Sequence, residues 1–350
     1  MDKILTVVIP AYNGEKYVAR AARSVLEQPA GAYVNVLLVD DGSTDSTDAI
    51  CDDLARAHEN VQVIHKSNGG VSSARNMGID NVTTKYIAFL DCDDWWNEEF
   101  FDEALARELV QEDGCDVYQF AYQEVDGSRR LKKVHPICEE KIIFDGLGQN
   151  RYDWEPHCSF VIRTALLHEN GIRYPICRSL EDGPFIEMAL CCAKTYQKID
   201  RIIFSYWKNE NSCSHTAQIM NAILEEYKGV LQKKERFEDW GLTIDADSEL
   251  VWSIANSLPK LCAGCGFREL QQFMDEYCFA VLACRPDIRF GKKMWSRLEC
   301  YRKCPRWCWI KYRVVPGIPM WIMSCVKQMP RVYKVLDYVL NRLKRRYIPL

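Results

Sequence analysis

Short apolar runs, each closed by a polar or glycine-containing stretch, recur through the first ninety residues. Residues 4–9 (ILTVVI), 34–39 (VNVLLV), 61–64 and 86–90 (YIAFL) are brief and rich in β-branched and aromatic side chains, a pattern that predicts buried strands. Between them the apolar positions shift to helical spacing. Tyr17, Val18, Ala21, Ala22, Val25 and Leu26 follow the first run. Ile50, Leu54 and Ala55 follow the second, after N-cap candidates in the segment STDST. Residues 71–79 read as a short helix after the third. This β-α-β-α-β-α-β alternation predicts an α/β fold with a doubly wound, mainly parallel sheet flanked by helices. Such sheets bind ligands at the carboxyl edge of the strands. Here every predicted strand end is polar or flexible: PAYN, DDGS, Asn68-Gly69-Gly70 and DCDD.

Further along, helix is expected at 98–110, a strand at 116–122, and a hairpin or acceptor-side loop at 124–143. A strand-to-helix passage follows at 154–167. Glu181-Asp182-Gly183-Pro184 precedes a helix with Phe185, Ile186, Met188, Ala189, Leu190 and Ala193 on its apolar face, and 199–207 reads as one more strand. From about residue 217 the pattern is amphipathic helix, at 220–237, 247–261 and 269–283. The expected organisation is one α/β domain over 1–216 and a smaller helical C-terminal region over 217–350. No internal repeat or low-complexity tract interrupts it.

Charge changes that picture at one end. The net charge of −4 hides 17 Lys/Arg against 3 Asp/Glu from Arg285 onward. This basic tail (285–350) is interleaved with Trp, Tyr and Met, which suits an anionic membrane surface. Its most apolar part is broken by Pro316 and Pro319 and is too short to span a bilayer. Nucleic acid is not expected, because no RNA- or DNA-binding motif accompanies the charge. The chain passes directly from Met1-Asp2-Lys3 into the first strand, with no signal peptide, so a cytoplasmic location and reduced thiols are expected for its 17 cysteines. Cys262, Cys265, Cys300 and Cys304 lack paired zinc-ligand spacing and read as core thiols.

The candidate chemistry lies at the strand ends. Asp91, Asp93 and Asp94 crowd the end of the fourth run, where mutual repulsion and burial call for a compensating cation. An acidic cap on a strand is the plainer alternative. Neither GxGxxG nor GxxxxGK[ST] is present, so a bound diphosphate would be neutralised by a carboxylate-held metal rather than a glycine cradle. Glu181-Asp182 stands where a carboxylate serves either as a helix cap or as a proton acceptor.

In order and in register, VVIPAYNGEKYV, LLVDDGSTDSTDAIC, NGGVSSARNMGI and YIAFLDCDDWW resemble the family 2 glycosyltransferases of GT-A fold, similar to bacterial capsular and exopolysaccharide enzymes. The resemblance covers the N-terminal half well, 100–215 loosely and the C-terminal third not at all. It implies an inverting transfer of a sugar from a nucleotide-sugar donor, a UDP-sugar by family habit, to a glycan or lipid-linked saccharide. It implies nucleotide and donor contacts at Pro10, Ala11, Tyr12, Asp41, Gly70, Arg75 and Asp91. Asp93 would hold Mn²⁺ or Mg²⁺, and Asp182 would be the catalytic base. Asp40 would orient its loop, Asp94 would assist, and His215 is a weaker candidate for a metal or diphosphate contact. A nucleotidyltransferase, and a catalytically silent nucleotide-sugar-binding scaffold at the membrane, remain as alternatives.

Overall fold

The computed structural model describes residues 2–143, 156–177, 180–208, 219–285, 287–289, 292–303, 305, 308 and 309. The four apolar runs form strands β1 (Leu5–Ala11), β2 (Val34–Asp40), β3 (Val61–His65) and β4 (Tyr86–Phe89). They pair in parallel in the order β3-β2-β1-β4. All seven residues of β1 are buried, because both faces of the sheet are covered. Leu5, Val7 and Ile9 pack on one face with Val18, Ala21, Ala22 and Val25 of α1 (Val18–Leu26) and with Cys51 and Leu54 of α2 (Thr47–Ala57). Val8, with Ile87 and Phe89 of β4, packs on the other face with Ala74 and Ile79 of α3 (Val71–Asn81). Gly78 lets α3 lie close on the sheet, since a Cβ there would collide with Val8.

The sheet continues beyond β4 in mixed directions. A two-residue strand β5 (Trp95–Trp96) follows the acidic loop, and α4 (Glu103–Val110) begins five residues later than expected, capped by the Asp102 carboxylate accepting from Leu105 N at 2.9 Å. Strand β6 (Val117–Val125) turns into β7 (Leu131–His135), the expected hairpin, whereas β8 (Glu140–Ile143) pairs with β10 (Thr195–Trp207). Strand β9 (Phe160–Arg163) inserts antiparallel between β4 and β6, and β10 lies parallel to β6 and antiparallel to β5. The described order is β3-β2-β1-β4-β9-β6-β10-β5. Helices α5 (Thr164–Glu169) and α6 (Asp182–Cys192) cover the face shared with α3.

The chain divides into two compact units, Met1–Ala217 with Leu224–Ile244, and Gln218–Ile223 with Asp245 onward. Most of helix Ile219–Asp239 therefore counts with the first unit, where Phe237 enters the α3–α5–α6 core and Lys233 pairs with Glu187. In the second unit, helix Ala246–Gly264 is capped by Asp245 and buries Leu250, Val251, Ile254, Leu258 and Leu261. Helix Phe267–Met274 runs on through a wider turn at Asp275–Phe279 to Ala280–Cys284, and helix Lys292–Lys303 follows. Arg285 binds Asp245, Asp247 and Asp287 at 2.7–3.1 Å. No described helix is long and apolar enough to cross a membrane. Residues 310–350, His215 and Cys304 lie outside the described residues, and so do the expectations that fall on them.

Candidate active site

The strand-end loops at the carboxyl edge of β1–β4 are tied together by hydrogen bonds. Asn13, just past β1, takes a bond from Thr44 N at 2.8 Å and gives its own N–H to Ser43 Oγ at 3.0 Å. Asp40 at the end of β2 accepts from Ser43 N at 3.0 Å and meets His65 Nδ1 at 3.0 Å, the loop-orienting role expected of it. Asp41 is buried, and its carboxylate accepts from Gly69 N at 3.0 Å, from Gly70 N at 2.8 Å and from Lys66 Nζ. Gly70 adopts a positive φ of 86° that turns these amides onto Asp41 at the start of α3. Cys92 in the acidic loop takes a backbone bond from Tyr12, and its sulfur lies 3.2 Å from where a Cβ on Gly14 would stand. Pro10 and Ala11 close β1, and Tyr12 presents an exposed ring at the same edge.

A second group of predicted residues meets through Arg75. This guanidinium is buried on α3, with its face 5.2 Å from the Tyr174 ring centroid. Nη2 donates to Asp91 Oδ1 at 2.7 Å, and Nη1 donates to Glu181 Oε1 and lies 3.7 Å from Asp182 Oδ1. Glu181 is the N-cap residue of α6 and makes no side-chain cap bond, and Asp182 opens the helix. Its carboxylate faces the site, with Oδ2 at 2.9 Å from His157 Nδ1. That contact is in ion-pair range, although the ring N–H is not aligned along it as a hydrogen bond requires. His157 is 2 % exposed and packs edge-on against Phe89 and Tyr174.

Electrostatics separates these acids. Burial acts to raise the Asp182 pKa, but His157 and then Arg75 outweigh it and hold the carboxyl well below its usual range. Glu181 moves up, first through burial and then through the Asp182 charge, against the pull of Arg75. Asp93 stands apart from the Arg75 network. Burial and then the Asp91 charge push its carboxyl up to about 6. Asp94 is buried and driven well above the usual range by burial and by Asp93 and Asp91, while its Oδ1 accepts from Trp207 N at 2.8 Å. Arg20 donates to the backbone oxygen of Asp93, not to its carboxylate, and lies over the Trp95 and Trp207 rings at 4.3 and 5.3 Å. No described side chain bonds the Asp93 carboxylate. An oxygen donor with unmet negative charge, beside the part-exposed Asp91, suits a hard divalent ion such as Mg²⁺ or Mn²⁺.

The structure thus brings Arg75, Asp91 and Asp182 into one contact network and joins Asp41 to Gly70 in another, with Asp93 on the loop beside the first. Residues that no motif flagged complete the networks: His157, Lys66 and Arg20. Only the position of His157 at the entry to β9 hints at its place, and that signal is too weak to single out one histidine.

The sequence profile of Glycosyl transferase family 2 matches residues 6–168. Glycosyltransferase GlyG of Streptococcus pneumoniae is 30% identical over 62% of this chain and 74% of its own length. The chain belongs to glycosyltransferase family 2. Glycosyltransferase GlyA of the same organism is 26% identical over 64% of this chain, which spans only about a third of GlyA, 34%. Among solved structures, S. aureus TarS 1–349 in complex with UDP-GlcNAc superposes with a TM-score of 0.62, covering 86% of this chain and 92% of TarS at 21% identity. The mainly parallel sheet with flanking helices is the GT-A fold of this family.

Proposed function

We propose that the chain is an inverting, metal-dependent glycosyltransferase that moves a sugar from a UDP-sugar to a glycan or lipid-linked saccharide during cell-surface polysaccharide synthesis. The observation that carries this reading is the meeting of Asp91, Arg75 and the Glu181–Asp182 pair at the sheet edge that also bears the Asp93 carboxylate. TarS, of the same fold, holds UDP-GlcNAc in its crystal structure, which favours a uridine nucleotide.

In this reading Tyr12 offers an aromatic face to the base, and the Asp41 carboxylate keeps one lone-pair direction for the base N–H beyond the three donors it already binds. Arg75 fixes Asp91 for the donor sugar hydroxyls. Asp93, with Asp91 beside it, would hold Mn²⁺ or Mg²⁺, which when bound neutralises charge on the departing nucleoside diphosphate. Asp182 takes the proton from the attacking acceptor hydroxyl, and direct displacement with one base inverts the anomeric carbon. Arg75 and His157 keep its carboxylate ionised and in place, so its contribution as a base comes from position rather than from strong basicity. A nucleotidyltransferase is disfavoured by the first strand end, where PAYNGEKYV offers no glycine- and lysine-rich activation loop.

Calorimetry tests the donor end. UDP binds in the presence of Mn²⁺ or Mg²⁺ and not in EDTA, and Asp93→Ala loses the metal-dependent part. Tight UDP binding in EDTA, unchanged in Asp93→Ala, removes the metal role from Asp93. Screening nucleotide sugars for metal-dependent donor hydrolysis then identifies the sugar.

A further inference from the structure

Three metal-ligating groups of different chemistry meet at the floor of the site. His157 Nε2 lies 3.3 Å from Cys158 Sγ and 3.9 Å from Asp91 Oδ1, and the three atoms all fall within 4.8 Å of one another. The sugar transfer described above uses neither the Cys158 thiol nor Nε2 of His157. We propose that Asp91, His157 and Cys158 form a Zn²⁺ site whose occupation stops the transferase.

Imidazole, thiolate and carboxylate are the ligands that zinc takes, whereas Mg²⁺ and Mn²⁺ favour oxygen alone, so this site is chemically distinct from the one at Asp93. Zinc bonds of about 2.0–2.3 Å at tetrahedral angles place ligand atoms about 3.3–3.8 Å apart. The 3.3 and 3.9 Å separations from Nε2 need adjustments of only tenths of an ångström, and the Cys158 and Asp91 atoms, within 4.8 Å of each other, close by up to about 1 Å. Three protein ligands leave a fourth position for water. The carboxylate that would orient a zinc-bound His157 stands beside its other ring nitrogen, and a turn of the ring would align the N–H with it. A zinc-bound histidine commonly turns its other ring nitrogen to a carboxylate, and Nδ1 of His157 faces Asp182 Oδ2 at 2.9 Å. The charge balance favours a cation, because Asp91, Glu181 and Asp182 face the single guanidinium of Arg75 when His157 is neutral. His157 and Cys158 are buried at 2 % exposure each, whereas the Asp91 side chain is 33 % exposed and gives the ion its way in.

The consequence for activity rests on the function proposed above: zinc would take Asp91 from the donor sugar and hold His157 against the base. Binding itself does not depend on that reading. The Cys158 thiol gives up its proton as the metal–sulfur bond forms, so affinity rises with pH.

Cobalt(II) is the probe. Titrated into the EDTA-treated full chain, it should develop a thiolate-to-cobalt charge-transfer band that zinc displaces. Cys158→Ser and His157→Gln should each remove that component, and Asp182→Asn should weaken binding by about 10–100-fold because the His157 ring loses the carboxylate that orients it. Far-UV circular dichroism and a cooperative urea transition report whether each variant is folded. A band of equal size and affinity in folded Cys158→Ser overturns the site. Zinc should also halve transfer at lower concentration in the wild-type chain than in Cys158→Ser, each measured against its own zinc-free rate. Equal sensitivity, with the cobalt band lost only in the variant, leaves the metal site standing and overturns its inhibitory role.

Discussion

At the end of β4 the Asp93 carboxyl is pushed up to about 6, while at the start of α6 Asp182 is held well below the ordinary carboxylate range. Both are aspartates in acidic pairs at the same sheet edge, and burial acts upward on both. The difference lies in what the fold packs beside them. Asp182 has Arg75 and His157 within 4 Å; Asp93 has a like charge at Asp91, and Arg20 binds its backbone oxygen instead of its carboxylate. At one end the protein supplies counter-charge, though Arg75 is shared among three acids, and at the other no described side chain bonds the carboxylate. That asymmetry is what a transferase needs if one acid accepts a proton and the other gains its counter-charge from a bound cation. Five substitutions probe this difference.

Asp182→Asn carries the largest expected effect. It keeps the shape and removes the proton acceptor, so turnover should fall by about 10²–10⁴-fold with donor affinity unchanged. Steady-state rates together with UDP calorimetry separate the two. Near wild-type turnover would move the base elsewhere and leave the Asp182–His157 contact a structural one.

Arg75→Met tests the Asp182 end through stability. Removing the guanidinium leaves Asp91 and Glu181 facing each other without their shared partner, at a cost of about 3–5 kcal/mol. Adding Glu181→Gln should recover part of that loss, because one of the stranded charges is gone. Urea midpoints of the single and double variants give the coupling directly, and strict additivity would mean that Arg75 and Glu181 act independently.

Asp93→Asn tests the other end. An acid whose folded pKa is raised binds its proton more tightly in the folded chain, so the metal-free protein loses stability as pH rises from about 4 toward 6 and levels off above. The variant lacks that loss. It should match the wild type near the low limit and exceed it at pH 7 in EDTA, as unfolding midpoints at several pH values will show. A constant gap between the two proteins across the range would mean that Asp93 is not the group left uncompensated.

How far these two ends could be read from the chain follows from the kind of signal each gives. Strands β1, β2 and β4 are almost wholly buried and so appear as near-continuous apolar runs, whereas the edge strand β3 leaves Gln62 and His65 exposed. The parallel direction of these strands and the convergence of their polar ends follow from alternation with helices, while the order β3-β2-β1-β4 does not. DCDD and Glu181-Asp182 are legible for the same reason, being charges set against apolar neighbours. The antiparallel insertion of β9 beside β4 is not legible, since register between strands more than seventy residues apart leaves no local trace. Nor is His157, whose role comes from meeting Asp182 across 25 residues of sequence. The resemblance implies a nucleotide contact at Asp41, whose carboxylate also binds the two glycine amides and Lys66; the backbone donors that occupy it leave no mark in residue identity.

The smallest effect comes from a pair that resembles Asp182–His157 but is open to water. His65 Nδ1 meets the buried Asp40 at 3.0 Å and its Nε2 meets Asp52 at 3.1 Å, while the ring itself is 42 % exposed. Bonds to Asp40 and Asp52 raise the His65 pKa, and Asp40 is lowered by Ser43 and His65 against the opposing effect of burial. A raised histidine stabilises fully below its unfolded value of about 6.5, and that contribution is lost as pH climbs through the folded pKa. His65→Gln should therefore cost a few tenths of a kcal/mol near pH 6 and less near pH 8.5, because solvent screens the charge. Unfolding midpoints at the two pH values measure the gap. If it is as large as the Arg75 effect, solvent access does not set the strength of these pairs, and the contrast between the two ends of the site must come from hydrogen-bond geometry instead.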